Sequence, residues 1–119
     1  MAEEVQVSSC GRYILVRSSG PPSLAEMKLT LSKIAEINRD HKLDKVLVDS
    51  RFRSGQLSVF DIYQGGELLA ETMGIWIRIA VLVNKIENDH KFFEIVTSNR
   101  FASVNFFQVE DLAIRWLLE

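Results

Sequence analysis

Residues 46–58 of the chain have the sequence V-L-V-D-S-R-F-R-S-G-Q-L-S, and this stretch decides the fold. Its first three residues are aliphatic and follow one another without a polar residue, which is typical of a strand covered on both faces. We therefore predict a parallel strand with Asp49 and Ser50 at its carboxyl end. Open α/β sheets bind ligands and partners just beyond the carboxyl ends of their strands, so the polar turn at 49–58 is the expected place for function.

Strands and helices alternate on both sides of this stretch. Residues 5–10 and 13–18 are β-prone and are separated by Gly11-Arg12, which predicts an antiparallel hairpin. A second buried parallel strand is predicted over 77–83, and a short edge strand over 103–107. Helix starts are predicted at Ser23, at Ser58, at Asn88 or Asp89, and at Glu110. The order ββαβαβαβα predicts a single α/β domain over 1–119, with a mostly parallel sheet and helices packed on it.

The last predicted helix has an apolar stripe at helical spacing. It begins at Glu110-Asp111, where the helix dipole favours negative charge. We predict that Leu112, Ala113, Trp116 and Leu117 form its buried stripe.

Composition limits the class of protein. The chain has 119 residues, 47% of them hydrophobic and 25% charged, and a net charge of -2, so we expect no nucleic-acid binding. No apolar run approaches the ~20 residues of a spanning helix, and residues 1–4 are acidic where a signal peptide is basic, so we expect a cytoplasmic protein without a transmembrane segment. Cys10 is the single cysteine and is predicted to lie in a strand. We expect no disulfide, no metal site and no cofactor.

Four segments together resemble a known family. They are V-L-V-D-S-R at the end of the central strand, R-I-A-V-L-V in the next strand, Phe93 with Asn99, and the closing F-F-Q-V-E-D-L-A-I-R-W-L. Their order and spacing are similar to those of the STAS domain, and in particular to its SpoIIAA-like branch, also labelled STAS/Sec14-like. The resemblance covers nearly the whole chain and implies a STAS-like fold.

The same resemblance implies where function lies. Regulatory STAS domains carry a phosphorylated serine in a D-S-S-G-like segment at the start of the second helix. Asp49-Ser50 matches the first half of that segment, but here 51–53 intervene before Ser54-Gly55. The Sec14 side of the family implies an apolar ligand between helices and sheet.

A phosphoserine switch is one hypothesis for the site, with Ser50 as the first candidate and Ser54 as the second. A phosphate at a helix start meets free N–H groups and the positive end of the dipole, and Arg51 and Arg53 could pair with it. The alternative is that Ser50 and Ser54 satisfy backbone groups of the turn while Ser58 caps the second helix.

A second hypothesis concerns an apolar or anionic ligand. Arg51, Arg53, Asn84 and Lys85 follow two neighbouring strands and are predicted to meet at one edge of the sheet, where they could hold an anion or a lipid head group. Phe52 could cover an apolar tail. The alternative is that these side chains are simply solvated.

Catalysis has the least support in the sequence. Neither His41 nor His90 belongs to an H-E-x-x-H array, and the chain lacks G-x-S-x-G, G-x-G-x-x-G and P-loop motifs. We therefore predict a non-catalytic regulatory module that binds a protein through the 49–58 turn, the start of the second helix and the 84–89 loop. Trp76, with Leu68 and Leu69, either forms a homodimer patch or is buried against its own sheet.

Overall fold

The computed structural model describes residues 3–20, 23–53, 78–85 and 103–119. Along these residues the chain forms five strands and two helices. The strands are β1 (Glu3–Val7), β2 (Ile14–Gly20), β3 (Lys45–Arg53), β4 (Arg78–Leu82) and β5 (Ser103–Phe107). The helices are α1 (Leu24–His41), between β2 and β3, and α2 (Glu110–Leu118), after β5.

The strands form one sheet in the order β1-β2-β3-β4-β5. β1 is antiparallel to β2, and the pairs β2–β3, β3–β4 and β4–β5 are parallel. The predicted α/β fold, with its N-terminal hairpin and mostly parallel sheet, is confirmed. Val46 pairs with Ile14 on one side and Ile79 on the other, so β3 is a central strand. This position explains its unbroken run of aliphatic residues, because both faces are covered.

The two faces of the sheet pack against different helices. Val46 and Leu47 are neighbours in β3, are 0% and 2% exposed, and belong to opposite hydrophobic clusters. The cluster beneath α1 contains Ile14, Val16, Leu31, Ile34, Val46, Ile79 and Val104. The cluster beneath α2 contains Leu47, Ala80, Leu82, Ala113 and Leu117. Each fully buried aliphatic side chain stabilises the fold by roughly 1.5–3 kcal/mol, so both helices are held to the sheet mainly by apolar burial.

α1 begins at the predicted cap Ser23, and hydrogen bonds close both of its ends. Ser23 is the N-cap, and its Oγ accepts a hydrogen bond of 3.1 Å from the Glu26 N–H. Lys42 ends the helix in the left-handed conformation, with φ of 59°, and its N–H donates to the Asn38 carbonyl. The Asn38 amide also donates to the Leu43 carbonyl. These bonds satisfy backbone groups that a helix end otherwise leaves without partners.

The hairpin strands are shorter at the turn than we predicted. The Ser8 N–H donates to the Tyr13 carbonyl at 2.9 Å, the Gly11 N–H donates to the Ser8 carbonyl, and the Ser8 Oγ accepts from the Tyr13 N–H. These bonds close a turn over 8–13, so residues 8–10 leave the strand. The prediction that Cys10 lies in a strand is therefore wrong, since Cys10 is exposed in this turn.

The buried stripe of α2 is narrower than we predicted. Ala113 and Leu117 are fully buried, and the Trp116 ring centroid lies 5.6 Å from that of Phe107. Leu112 is 50% exposed, so its predicted burial is wrong. Successive residues of a helix are about 100° apart, which turns Leu112 away from the line through Ala113 and Leu117.

Several predictions fall outside the described residues. These are the second and third helices, with the predicted cap Ser58, and the patch of Trp76, Leu68 and Leu69. Of the helices in the described ranges, neither is both long and apolar enough to cross a membrane.

Candidate functional site

The candidate site lies at the carboxyl end of β3, beyond the point where β3 stops pairing with β4. Pairing between β3 and β4 ends at Asp49 opposite Leu82, whereas pairing between β3 and β2 continues to Arg53 opposite Gly20. Asp49 and Ser50, predicted at the carboxyl end of the strand, lie in β3, and the predicted turn is wrong for residues 51–53, which extend β3. Their polar composition suggested a turn, but β2 is long enough to keep them in the sheet.

A β-bulge interrupts this last part of β3. Arg17 is opposite Asp49, and the next aligned pair is Ser19 opposite Phe52, so β3 has one more residue than β2 between the two pairs. Side chains alternate between the faces of a sheet, and aligned residues share a face. The extra residue therefore places Phe52 on the same face as Asp49, which is the face covered by α2.

Asp49 and Arg51 form a two-pronged ion pair on this face. The Arg51 Nε donates to Asp49 Oδ1 at 2.9 Å, and Nη2 donates to Oδ2 at 2.8 Å. The Arg51 backbone N–H also donates to Oδ1, at 3.2 Å. The Asp49 side chain is only 12% exposed. Hydrogen bonds from the Arg51 side chain, and then from its backbone N–H, lower the pKa of the Asp49 carboxyl against the opposing effect of burial.

Glu110 offers Arg51 a second carboxylate. Its Oε1 lies 3.5 Å from Nη2 of Arg51, and the side chains of Arg51 and Glu110 are 36% and 49% exposed. Glu110 is in the first turn of α2, where the helix dipole favours negative charge. The sequence predicted Glu110 only as a helix start. Glu110 follows the end of β5, a parallel strand, by three residues. This position after a strand end was the signal in the sequence that Glu110 lies at this edge of the sheet.

Asn84 connects the end of β4 to the end of β3. Its Nδ2 donates to the Arg51 carbonyl at 2.6 Å, and both Asn84 and Lys85 are exposed. The two strand ends predicted to meet at one edge of the sheet therefore do so. Arg51 is held through its side chain and its backbone N–H by Asp49, and through its carbonyl by Asn84, so its position is fixed by the fold.

Phe52 is the most exposed large hydrophobic residue of the described part of the chain. It is 73% exposed, and the others are Leu29, Val109 and Leu112, at 59%, 50% and 50%. We call the set around it the strand-end surface. Its members are Asp49, Arg51, Phe52, Asn84, Lys85 and Glu110.

The remaining predicted site residues are placed differently. Ser50 is half-buried inside β3, so the argument from a free helix N-terminus does not extend to it. The backbone of Arg53 ends β3 opposite Gly20. Ser54 and Ser58 lie outside the described residues.

The chemistry available at the strand-end surface is recognition through hydrogen bonds, charge and an aromatic contact. In the described ranges, no group of three or more His, Cys, Asp and Glu side chains is arranged to hold a metal ion. The carboxylate of Asp49 and the guanidinium of Arg51 are matched to each other. This arrangement fixes a cation beside an exposed aromatic side chain.

Solved structures share this architecture. The chain is similar to an uncharacterised protein of the DUF3478 family from Shewanella loihica PV-4, with 17% identity, a TM-score of 0.65, and coverage of 98% of this chain and 92% of that one. It is also similar to the anti-sigma factor antagonist SpoIIAA in its unphosphorylated form, with 15% identity, a TM-score of 0.60, and coverage of 98% and 96%. The chain has a SpoIIAA-like fold.

The SpoIIAA-like fold confirms the family resemblance at the level of architecture. No protein-family model matches the sequence, and a search of curated proteins found no match. The likeness therefore lies in the order and pairing of strands and helices, which 15–17% identity is enough to preserve.

Proposed function

We propose that this chain is a non-catalytic regulatory module that binds a protein partner through the strand-end surface. The SpoIIAA-like fold supports this proposal, because one of the similar structures is an anti-sigma factor antagonist. The surface lies beyond the β3–β4 pairing, which is the part of an α/β sheet where partners are bound.

The observation on which the proposal depends is the exposure of Phe52 beside an immobilised arginine. Phe52 is 73% exposed, and Arg51 is held by Asp49 and Asn84. Exposing an aromatic ring of this size to water is unfavourable, and its burial by a partner is correspondingly favourable. Phenylalanine, like the other aromatic residues and arginine, is enriched in protein–protein interfaces relative to the rest of the protein surface. A fixed Arg51 also loses little side-chain entropy on binding.

The alternative of an apolar or anionic small ligand has less support at the same residues. Two carboxylates face the Arg51 guanidinium, and Asp49 is held in the closer pair, so a small anion reaches this cation only by replacing the contact to Glu110. Lys85 is the other exposed cation of the strand-end surface.

Partner capture by the immobilised chain tests the proposal. The bait is incubated with extract of the cells that produce the protein, the captured partner is identified by mass spectrometry, and its affinity is then measured with purified components. We expect Phe52→Ser to weaken binding about tenfold or more, as loss of a central aromatic contact does.

Leu29→Ser is the matched control. Leu29 is 59% exposed on α1, so both substitutions remove an exposed hydrophobic residue and leave the core intact. We expect Leu29→Ser to change the affinity less than about twofold, since surface substitutions outside an interface are close to neutral. Equal binding by the Phe52→Ser variant and the unmodified chain would contradict the proposal, and so would an equal loss in both variants.

A further inference from the structure

The two carboxylates that face Arg51 differ in geometry and burial. The Asp49 pair has contacts of 2.9 and 2.8 Å, and its carboxylate is 12% exposed. The Glu110 contact is a single one of 3.5 Å, and its side chain is 49% exposed. The first pair is part of the folded sheet. The second is an exposed contact of the kind that water and ions readily replace.

We propose that Glu110 occupies the place of a partner's carboxylate at Arg51, and that the partner binds with an acidic segment whose apolar residue packs on Phe52. This inference rests on the proposed function and names the chemistry of the partner. Glu110 then sets specificity, because a segment displaces it only by offering a better-placed carboxylate to the guanidinium.

Breaking the contact between Glu110 and Arg51 costs the folded protein little free energy. An exposed ion pair stabilises a protein little, and the freed Glu110 carboxylate stays in the first turn of α2, where the helix dipole still favours it. Asp49 continues to hold Arg51 in place throughout, so the partner meets a guanidinium that is already oriented.

The charges at this edge favour an acidic segment. Arg17 is exposed, is aligned with Asp49 in the sheet, and contributes to the lowered pKa of the Asp49 carboxyl. Among these residues the three cations Arg17, Arg51 and Lys85 outnumber the two carboxylates of Asp49 and Glu110. A basic segment would face repulsion from three cations, whereas an acidic one is complementary to them.

An NMR titration of the full ¹⁵N-labelled chain tests this inference. The probe is a capped peptide of alternating leucine and glutamate, and its neutral twin has glutamine in place of glutamate. We expect the acidic peptide alone to shift the Arg51 Nε–H and Phe52 amide signals. Glu110→Gln should tighten binding about threefold, which is the size of a lost competing surface ion pair.

Asp111→Asn is the matched control, because it removes the same charge from the neighbouring residue of α2. Asp111 is exposed, and no contact between it and Arg51 is seen in the described structure. We expect Asp111→Asn to change the affinity clearly less than Glu110→Gln. In an Arg51→Gln background the effect of Glu110→Gln should disappear, since residue 51 then has no charge to pair with Glu110.

Three results would overturn the inference: equal binding of the neutral twin, weaker binding by the Glu110→Gln variant, or equal effects at positions 110 and 111. Binding of phosphatidylglycerol-containing vesicles at Arg51 and Phe52, without peptide binding, would also overturn it in favour of a membrane surface. The proposed function has its own test, which is the loss of partner binding in the Phe52→Ser variant. If that loss is observed while the peptide experiment fails, the protein-binding function stands and only the acidic nature of the partner is wrong.

Discussion

Two arginines at opposite ends of the sheet are held in different ways. Arg51, near the carboxyl end of β3, donates two side-chain hydrogen bonds to the carboxylate of Asp49. Arg78, the first residue of β4, has its guanidinium carbon 4.3 Å from the centroid of the Trp116 ring and donates to the Glu119 carbonyl at 3.1 Å. One arginine is fixed by charge and the other by an aromatic face.

The difference separates a structural end of the sheet from a binding end. Trp116, whose ring covers the Arg78 guanidinium, is half-buried and also packs on Phe107 at the carboxyl end of β5, so its contacts join the end of α2 to β4 and β5. At the Arg51 end, the aromatic residue Phe52 is 73% exposed. An aromatic side chain that the fold itself covers contributes to stability, whereas one left in water beside an oriented cation is available to a partner.

The largest expected effect on stability is at Asp49. Asp49→Asn replaces a charged, mostly buried acceptor by a neutral amide and leaves the Arg51 guanidinium with only the more exposed carboxylate of Glu110. We expect the free energy of unfolding, measured with urea, to fall by about 2 kcal/mol. Asp40→Asn is the control, because the Arg39–Asp40 contact is 3.6 Å long and the Asp40 side chain is 59% exposed. We expect a change below about 0.5 kcal/mol there. Equal effects at both positions would show that burial does not distinguish the two pairs.

Asp49→Asn should also change how the free energy of unfolding depends on pH. The pKa of the Asp49 carboxyl is lowered in the folded state, chiefly by hydrogen bonds from Arg51, so folding favours the ionised form. The resulting stabilisation is fully present above the ordinary Asp pKa of about 4 and is lost as the pH falls through the lower folded value. Urea titrations below about pH 5 should therefore show a smaller loss of stability in Asp49→Asn than in the unmodified chain. A steeper loss in the variant would contradict the direction of this shift.

A smaller effect is expected at the other arginine. Arg78→Leu removes the cation over Trp116 and the bond to the Glu119 carbonyl, and we expect the free energy of unfolding to fall by about 1 kcal/mol. Arg115→Leu is a suitable control, since Arg115 is an exposed cation in the last turn of α2. There we expect about 0.5 kcal/mol or less. A larger loss for Arg78→Leu than for Asp49→Asn would reverse the comparison between the two ends.

Sequence reasoning was most successful where local pattern decides structure. The aliphatic runs predicted β3 and β4 as buried strands, and the S-x-x-E signal placed the α1 cap at Ser23, because both depend on residues close together in the chain.

The rest of the site depends on contacts between distant segments. The polar residues after Asp49 suggested a turn, and only the length of β2 keeps them in a strand. The bulge that brings Phe52 to the face of Asp49 arises from the register between β2 and β3, which no local pattern encodes. Glu110 meets Arg51 only because α2 packs across the parallel strands.

Hydrogen exchange of the chain with and without its captured partner tests the central claim most directly. If the strand-end surface is the interface, the backbone amides of residues 50–53 and 84–85 exchange more slowly in the complex, while those around Arg78 and Trp116 are unchanged. Slower exchange confined to the Arg78 and Trp116 end, with no change at 50–53, would contradict the account.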